Sequence, residues 1–148
     1  MKSEDLLKVK RVKENATIPE RKSIGAAGYD LTACTDSRVT ILPHSTVFIP
    51  SGLAFAIPKG YFGAIYARSG LATKVGLRPA TCVSVIDSDY RGEVGLPIHN
   101  DTDKIHYIEP GERVAQIVFQ KAFTPEIEEV DTLDETDRGS NGFGSTGK

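Results

Sequence analysis

The chain has 148 residues, enough for one domain with a sizeable core, and a formal net charge of -2 with 26% charged and 39% hydrophobic residues. That balance argues against a broad nucleic-acid or membrane footprint, so any anionic ligand must be met by a local cluster of cations and backbone N–H groups. With 14 glycines and 8 prolines beside no tryptophan and one methionine, short strands joined by turns are favoured over a helical bundle.

The N-terminal stretch MKSEDLLKVKRVKEN carries charges with no long apolar run behind them, so no signal peptide is expected. No stretch nears the roughly 18 apolar residues of a membrane span, and an intracellular, cytoplasmic location is expected. Strands are predicted at residues 7–12, 39–42 and 46–49, with Pro43 punctuating the second. The next, at 53–57, runs into Pro58-Lys59-Gly60, where proline presets one φ and glycine admits a positive one. A strand at 61–66 follows, then a short helix at 69–74 with Ser69 as candidate cap. Further strands are predicted at 82–86, 93–99, 105–108 and 114–119, with residues 100–103 (NDTD) as a plain surface turn. This rhythm indicates a sandwich, jelly roll or barrel. Cys34 and Cys82 form neither a metal pattern nor a disulfide framework and are expected to be small buried residues.

The last stretch changes character. Glu126, Glu128, Glu129, Asp131, Asp134, Glu135 and Asp137 make an acidic run, and glycines follow at 139, 142, 144 and 147. Such a segment cannot bury enough surface to fold alone and reads as a disordered terminus. Arg138 and Phe143, a cation and a ring among small residues, also suit a segment that orders only over a ligand. Residues 142–148 match the opening of a P-loop, but that loop needs a strand before it and a helix after it, and neither is expected here.

Four shorter segments can carry chemistry. In ARSGLA, residues 67–72, a guanidinium precedes a serine and a glycine at a helix start. That is a phosphate site in miniature, with outward N–H groups and a charge-assisted, bidentate donor in Arg68; read alone, the residues are more often a surface arginine beside an ordinary capped turn. In VIDSDYRG, residues 85–92, Asp87 and Asp89 lie two apart. They share a face on a strand and separate at a bend, which allows one to act as general base or leaves both in an acidic loop. In AGYDL, residues 27–31, Asp30 follows a glycine-permitted turn into a strand. In GERVAQ, residues 111–116, Arg113 and Gln116 fall on opposite faces if the strand is regular.

In order, AGYD, ARSGLA, VIDSDYRGE, GERVAQ and RGSNGFGSTG closely resemble the five motifs of the trimeric dUTPase family, from about residue 20 onward. The resemblance implies an all-β, jelly-roll-like β-barrel with one short helix. It implies a homotrimer with active sites at subunit interfaces. It divides the chain into a barrel at 1–130 and a glycine-rich arm at 131–148 that closes a neighbouring site. The implied reaction is Mg²⁺-assisted hydrolysis of dUTP to dUMP and pyrophosphate, with no nucleic-acid or membrane partner. Asp87 would be the general base on the attacking water. Tyr90 would pack on the deoxyribose and exclude a 2′-hydroxyl. The hairpin carrying Thr81, Val85, Ile86 and Gly95 would read uracil through main-chain groups. Arg68, Ser69, Gly70 and Gln116 would hold the phosphates. Arg138 would pair with the γ-phosphate, Phe143 would stack on uracil, and Gly144, Ser145 and Thr146 would wrap the phosphate end. Asp30 would hold Mg²⁺ through water.

Two positions depart from the family pattern: Ser84 stands where glycine is common, and Thr81 where some relatives place asparagine. A left-handed φ at 84 would cost serine about 1 kcal/mol. A dCTP deaminase of the same superfamily and a non-catalytic nucleotide-binding trimer are the competing readings.

Overall fold

The computed structural model describes residues 6–142. Among them are eleven strands: β1 (Lys8–Arg11), β2 (Tyr29–Thr32), β3 (Val39–Ile41), β4 (Thr46–Pro50), β5 (Leu53–Ala56), β6 (Tyr61–Tyr66), β7 (Leu77–Pro79), β8 (Ser84–Ile86), β9 (Gly95–Asn100), β10 (His106–Ile108) and β11 (Arg113–Lys121). All pairings are antiparallel. One four-stranded sheet runs β2-β11-β6-β8, another of three strands runs β4-β9-β7, and β1-β5 and β10-β3 form two ribbons. The fold is all-β and jelly-roll-like, wrapped around one core in which Leu31, Ile49, Phe55, Ile65, Ile98 and Ile117 are among the most deeply buried residues.

Strand β11 (RVAQIVFQK) is central because Val114, Ala115 and Ile117 are fully buried, and it pairs on both sides, with β2 and β6. Strand β7 escaped the sequence pattern because it is only three residues long and ends in Pro79. It survives as the edge of its sheet, where a missing N–H costs no ladder bond.

The expected helix is a single wide turn at Leu71–Val75, closed by an i→i+5 bond from the Gly76 N–H to the Leu71 carbonyl at 3.0 Å. Ser69 does not cap it. No side chain does, and Ser69 instead gives its carbonyl to the Thr73 hydroxyl at 2.7 Å. Of the two cysteines, Cys34 is buried, and burial pushes its thiol up. Cys82 is exposed, in a loop before β8 whose residues 80–83 all face solvent.

Asn100 is not part of a surface turn. The two-residue alternation of β9 sends Leu96, Ile98 and Asn100 inward together, so a polar side chain lands in the core with no exposure. It is fully satisfied there: Nδ2 donates to the carbonyls of Ile41, Leu42 and Lys104, and Oδ1 accepts from the N–H and hydroxyl of Thr102. Asn100→Ala strands three buried or half-buried carbonyls and is expected to destabilise the fold by about 3 kcal/mol. Urea unfolding checks this, read as a lower midpoint at an unchanged slope.

Candidate active site

Ten of the predicted site residues line two cavities that share no residue. The first, of about 360 Å³, is lined by Lys22, Ala26, Ala27, Gly28, Asp30, Arg68, Ser69, Gly70 and Gln116. The second, of about 250 Å³, is lined by Phe48, Val85, Ile86, Asp87, Tyr90, Glu93, Val94 and Gly95.

The first cavity is built across strands. Asp30, on β2, receives Arg68 Nε on one oxygen and Arg113 Nη1 on the other, both at 3.1 Å. Arg68 also donates through Nη1 to the Arg113 carbonyl at 3.2 Å. The carboxylate is half-buried, which gives the two ion pairs more weight than surface ones. Two guanidinium groups around one carboxylate leave this cluster with one net positive charge. It holds Arg68 at the cavity wall next to Ser69 and Gly70.

Arg113 and Gln116 do not fall on opposite faces. The β11–β2 register slips between Arg113 and Ala115, a β-bulge that resets the alternation. Gln116 then lies opposite Asp30 and lines the cavity, while Arg113 reaches the same carboxylate. Gln116 is pinned by its Nε2 donating to the Ala67 carbonyl at 2.9 Å, and its Oε1 lies so close to Gly28 that any Cβ there would collide with it. The glycine of AGYD therefore makes room for the glutamine of GERVAQ.

The second cavity lies at the end of β8, which pairs with β6 through Ser84–Ile65, Val85–Ala64 and Ile86–Gly63. The chain bends immediately afterwards, with the Tyr90 N–H donating to the Asp87 carbonyl at 3.2 Å. The bend separates the two carboxylates: Asp87 lines the cavity and Asp89 does not. Among the described residues, none donates a hydrogen bond to the Asp87 carboxylate, which is exposed and open to water. Tyr90 donates its hydroxyl to the Glu93 carbonyl at 3.0 Å, which fixes its ring at the cavity wall.

Ser84 carries no strain. It sits within β8, and the one positive-φ residue other than glycine among those described is His44. Its hydroxyl bonds that of Thr81, so the two departures from the family pattern form a pair that closes the loop before β8. Thr81 itself does not line either cavity.

The sequence does not place Phe48 and Lys22 at the cavities, and it does not bring Arg113 onto Asp30. Phe48 is 68% exposed, yet its ring lies so close over Gly95 that no side chain could replace that hydrogen. In the register Phe48 stands opposite Pro97 and Gly95 opposite Pro50, so the ring reaches diagonally over the glycine, a contact that only the strand pairing makes visible. Arg138 donates through Nε to the Asn141 carbonyl at 2.9 Å in a local turn and lines neither cavity. Phe143, Gly144, Ser145 and Thr146 lie outside the described residues.

No cluster of three or more metal-ligating side chains occurs among the described residues. Asp30 has each oxygen committed to one guanidinium donor, with one lone pair left on each. Beside two positive charges it is ill suited to bind a dication directly. It fits the gentler demand of accepting a hydrogen bond from a metal-bound water.

The family model for dUTPase matches residues 14–147. A deoxyuridine 5'-triphosphate nucleotidohydrolase of Syntrophotalea carbinolica is 44% identical over 141 residues, covering 95% of this chain and 96% of that protein. A variant of the Staphylococcus bacteriophage 80alpha dUTPase, solved with dUpNHpp, superposes with a TM-score of 0.89 at 31% identity, covering 97% of this chain and 99% of that one. A variant of the dUTPase from phage phi11 of S. aureus, described for its coordination of a structural Mg(II) ion, superposes at 0.80 with 27% identity, covering 88% of this chain and 99% of that one. With the family match spanning nearly all of the sequence and the relatives agreeing over nearly all of its length, the chain belongs to the dUTPase family.

Proposed function

We propose that the protein hydrolyses dUTP to dUMP and pyrophosphate, with Asp87 as general base, in a homotrimer. The observation that carries this reading is the division of the site into two cavities. One holds an open carboxylate beside a fixed aromatic ring, and the other a guanidinium cluster suited to phosphate.

In this mechanism Asp87 accepts a proton from water as the water oxygen bonds to the α-phosphorus, and the bond from that phosphorus to the bridging oxygen of the pyrophosphate breaks. Tyr90, held by its hydroxyl, presents its ring to the deoxyribose and leaves no room for a 2′-hydroxyl. Main-chain groups of the β8 hairpin and Gly95 read uracil, with Val85 and Ile86 as walls. Arg68, Ser69, Gly70 and the remaining N–H of Gln116 hold the phosphate chain. Mg²⁺, when bound, neutralises part of the triphosphate charge and orders it for in-line attack. Asp30 would hold that ion through a water.

Assembly accounts for two further features. The two half-sites of one chain lie in different cavities, which suits a complete site drawn from different subunits. After β11 ends at Lys121, residues 122–142 form no strand or helix, and Phe123, Ile127 and Leu133 are 90%, 97% and 84% exposed. Such apolar side chains suit an arm that lies on another subunit and carries Arg138 and residues 143–146 over its active site. The arm would then begin near Ala122, ahead of the boundary expected at 131.

A pyrophosphate-release assay with Mg²⁺ against dUTP, UTP, dTTP and dCTP tests the reading. dUTP is expected to lead the others in kcat/KM by about 10²-fold or more. Comparable turnover of UTP or dTTP overturns the specificity argument. Ammonia released from dCTP marks a deaminase, and tight dUTP binding without turnover marks a binding module.

A further inference from the structure

We propose that Lys22 is a substrate-binding residue, supplying the second net positive charge of the phosphate cavity. The inference rests on that cavity being the phosphate end of a dUTP site.

Charge is the first argument. Arg68 and Arg113 are offset by Asp30, so their cluster contributes one net positive charge. A magnesium triphosphate remains an anion, and low-charge surroundings would leave much of it unbalanced. Lys22 is the one other cation lining the cavity among the described residues, and none of the described carboxylates pairs with it.

Position is the second. The loop that carries Lys22 is fastened on both sides. At its base the Asp30 N–H donates to the Glu20 carbonyl at 3.3 Å. The neighbouring Arg21 lies over the Tyr29 ring at 5.8 Å and donates through Nη1 to the Ile24 carbonyl at 3.0 Å. The Ala26 N–H closes a turn onto the Ser23 carbonyl at 3.2 Å. Arg21 is therefore committed to holding the loop, and Lys22 beside it is left facing the cavity. Its long stem and exposed head suit a contact that forms as the anion arrives.

The test measures dUpNHpp affinity and steady-state dUTP hydrolysis for the wild type, Lys22→Ala, Lys22→Gln and Lys22→Arg. Lys22→Ala and Lys22→Gln are expected to bind dUpNHpp about five- to tenfold more weakly and to raise KM by a similar factor, with kcat within about twofold. Lys22→Arg is expected to restore most of the loss, and the difference is expected to shrink in 1 M salt, where the Debye length falls to about 3 Å. Wild-type affinity in Lys22→Ala, or a loss that salt leaves unchanged, overturns the inference while leaving the dUTPase reading intact. A wild-type protein that neither binds dUpNHpp nor hydrolyses dUTP overturns both.

Discussion

Replacing Asp87 with asparagine is expected to lower kcat by about 10²–10⁴-fold while leaving dUpNHpp affinity within a few-fold of wild type. The two side chains have nearly the same shape, and the amide cannot take a proton from water. The local fold is insensitive to the change, because the Asp87 carbonyl, not its carboxylate, anchors the bend to the Tyr90 N–H. No described residue relies on the carboxylate as a hydrogen-bond acceptor, so its loss leaves no stranded donor. Stopped-flow or single-turnover hydrolysis, with dUpNHpp titration alongside, separates the two effects. A variant with near-normal kcat would exclude Asp87 as the base.

Removing residues 138–148 is expected to lower kcat by at least about 10²–10³-fold, the scale of losing one well-placed donor to developing charge. The fold and the oligomer are expected to persist. Every strand of the described structure ends by Lys121, and the core cluster draws nothing from beyond Phe119. Arg138 in its present turn bonds only to its own neighbourhood. The role proposed for it therefore depends on the arm reaching an active site, where closure would exclude water and strengthen each ionic contact. Activity assays paired with light scattering and thermal melting check this. Unfolding or dissociation of the truncated protein would show the arm to be structural instead.

The features legible in the sequence were local ones. Apolar runs bounded by Pro-Gly or Asp-rich turns located most strands to within one or two residues, because backbone alternation and turn chemistry act over a few positions. The five ordered motifs carry the family resemblance without any geometry, and the Asp87–Tyr90 bend follows from residues that are neighbours in the chain. The strand at Leu77–Pro79 is not legible in the sequence because its stability comes from pairing with β9, not from its own composition. The burial of Asn100 is equally hidden, because a polar residue at a strand end looks like the start of a turn until its partners, Ile41 and Leu42, are brought against it.

Residue types, motif order and the all-β character were thus settled by the sequence itself, since each depends on near neighbours. Tertiary structure alone decided which of those residues share a site. Asp30 meets Arg68 and Arg113 across separations of 38 and 83 residues. The bulge in β11 decides that Arg113 and Gln116 both turn toward Asp30, and the approach of β4 to β9 sets Phe48 over Gly95. The physical reason is the period of two: a single extra residue in a strand sends every later side chain to the other face. Where such a residue falls is set by the pairing partner across the sheet.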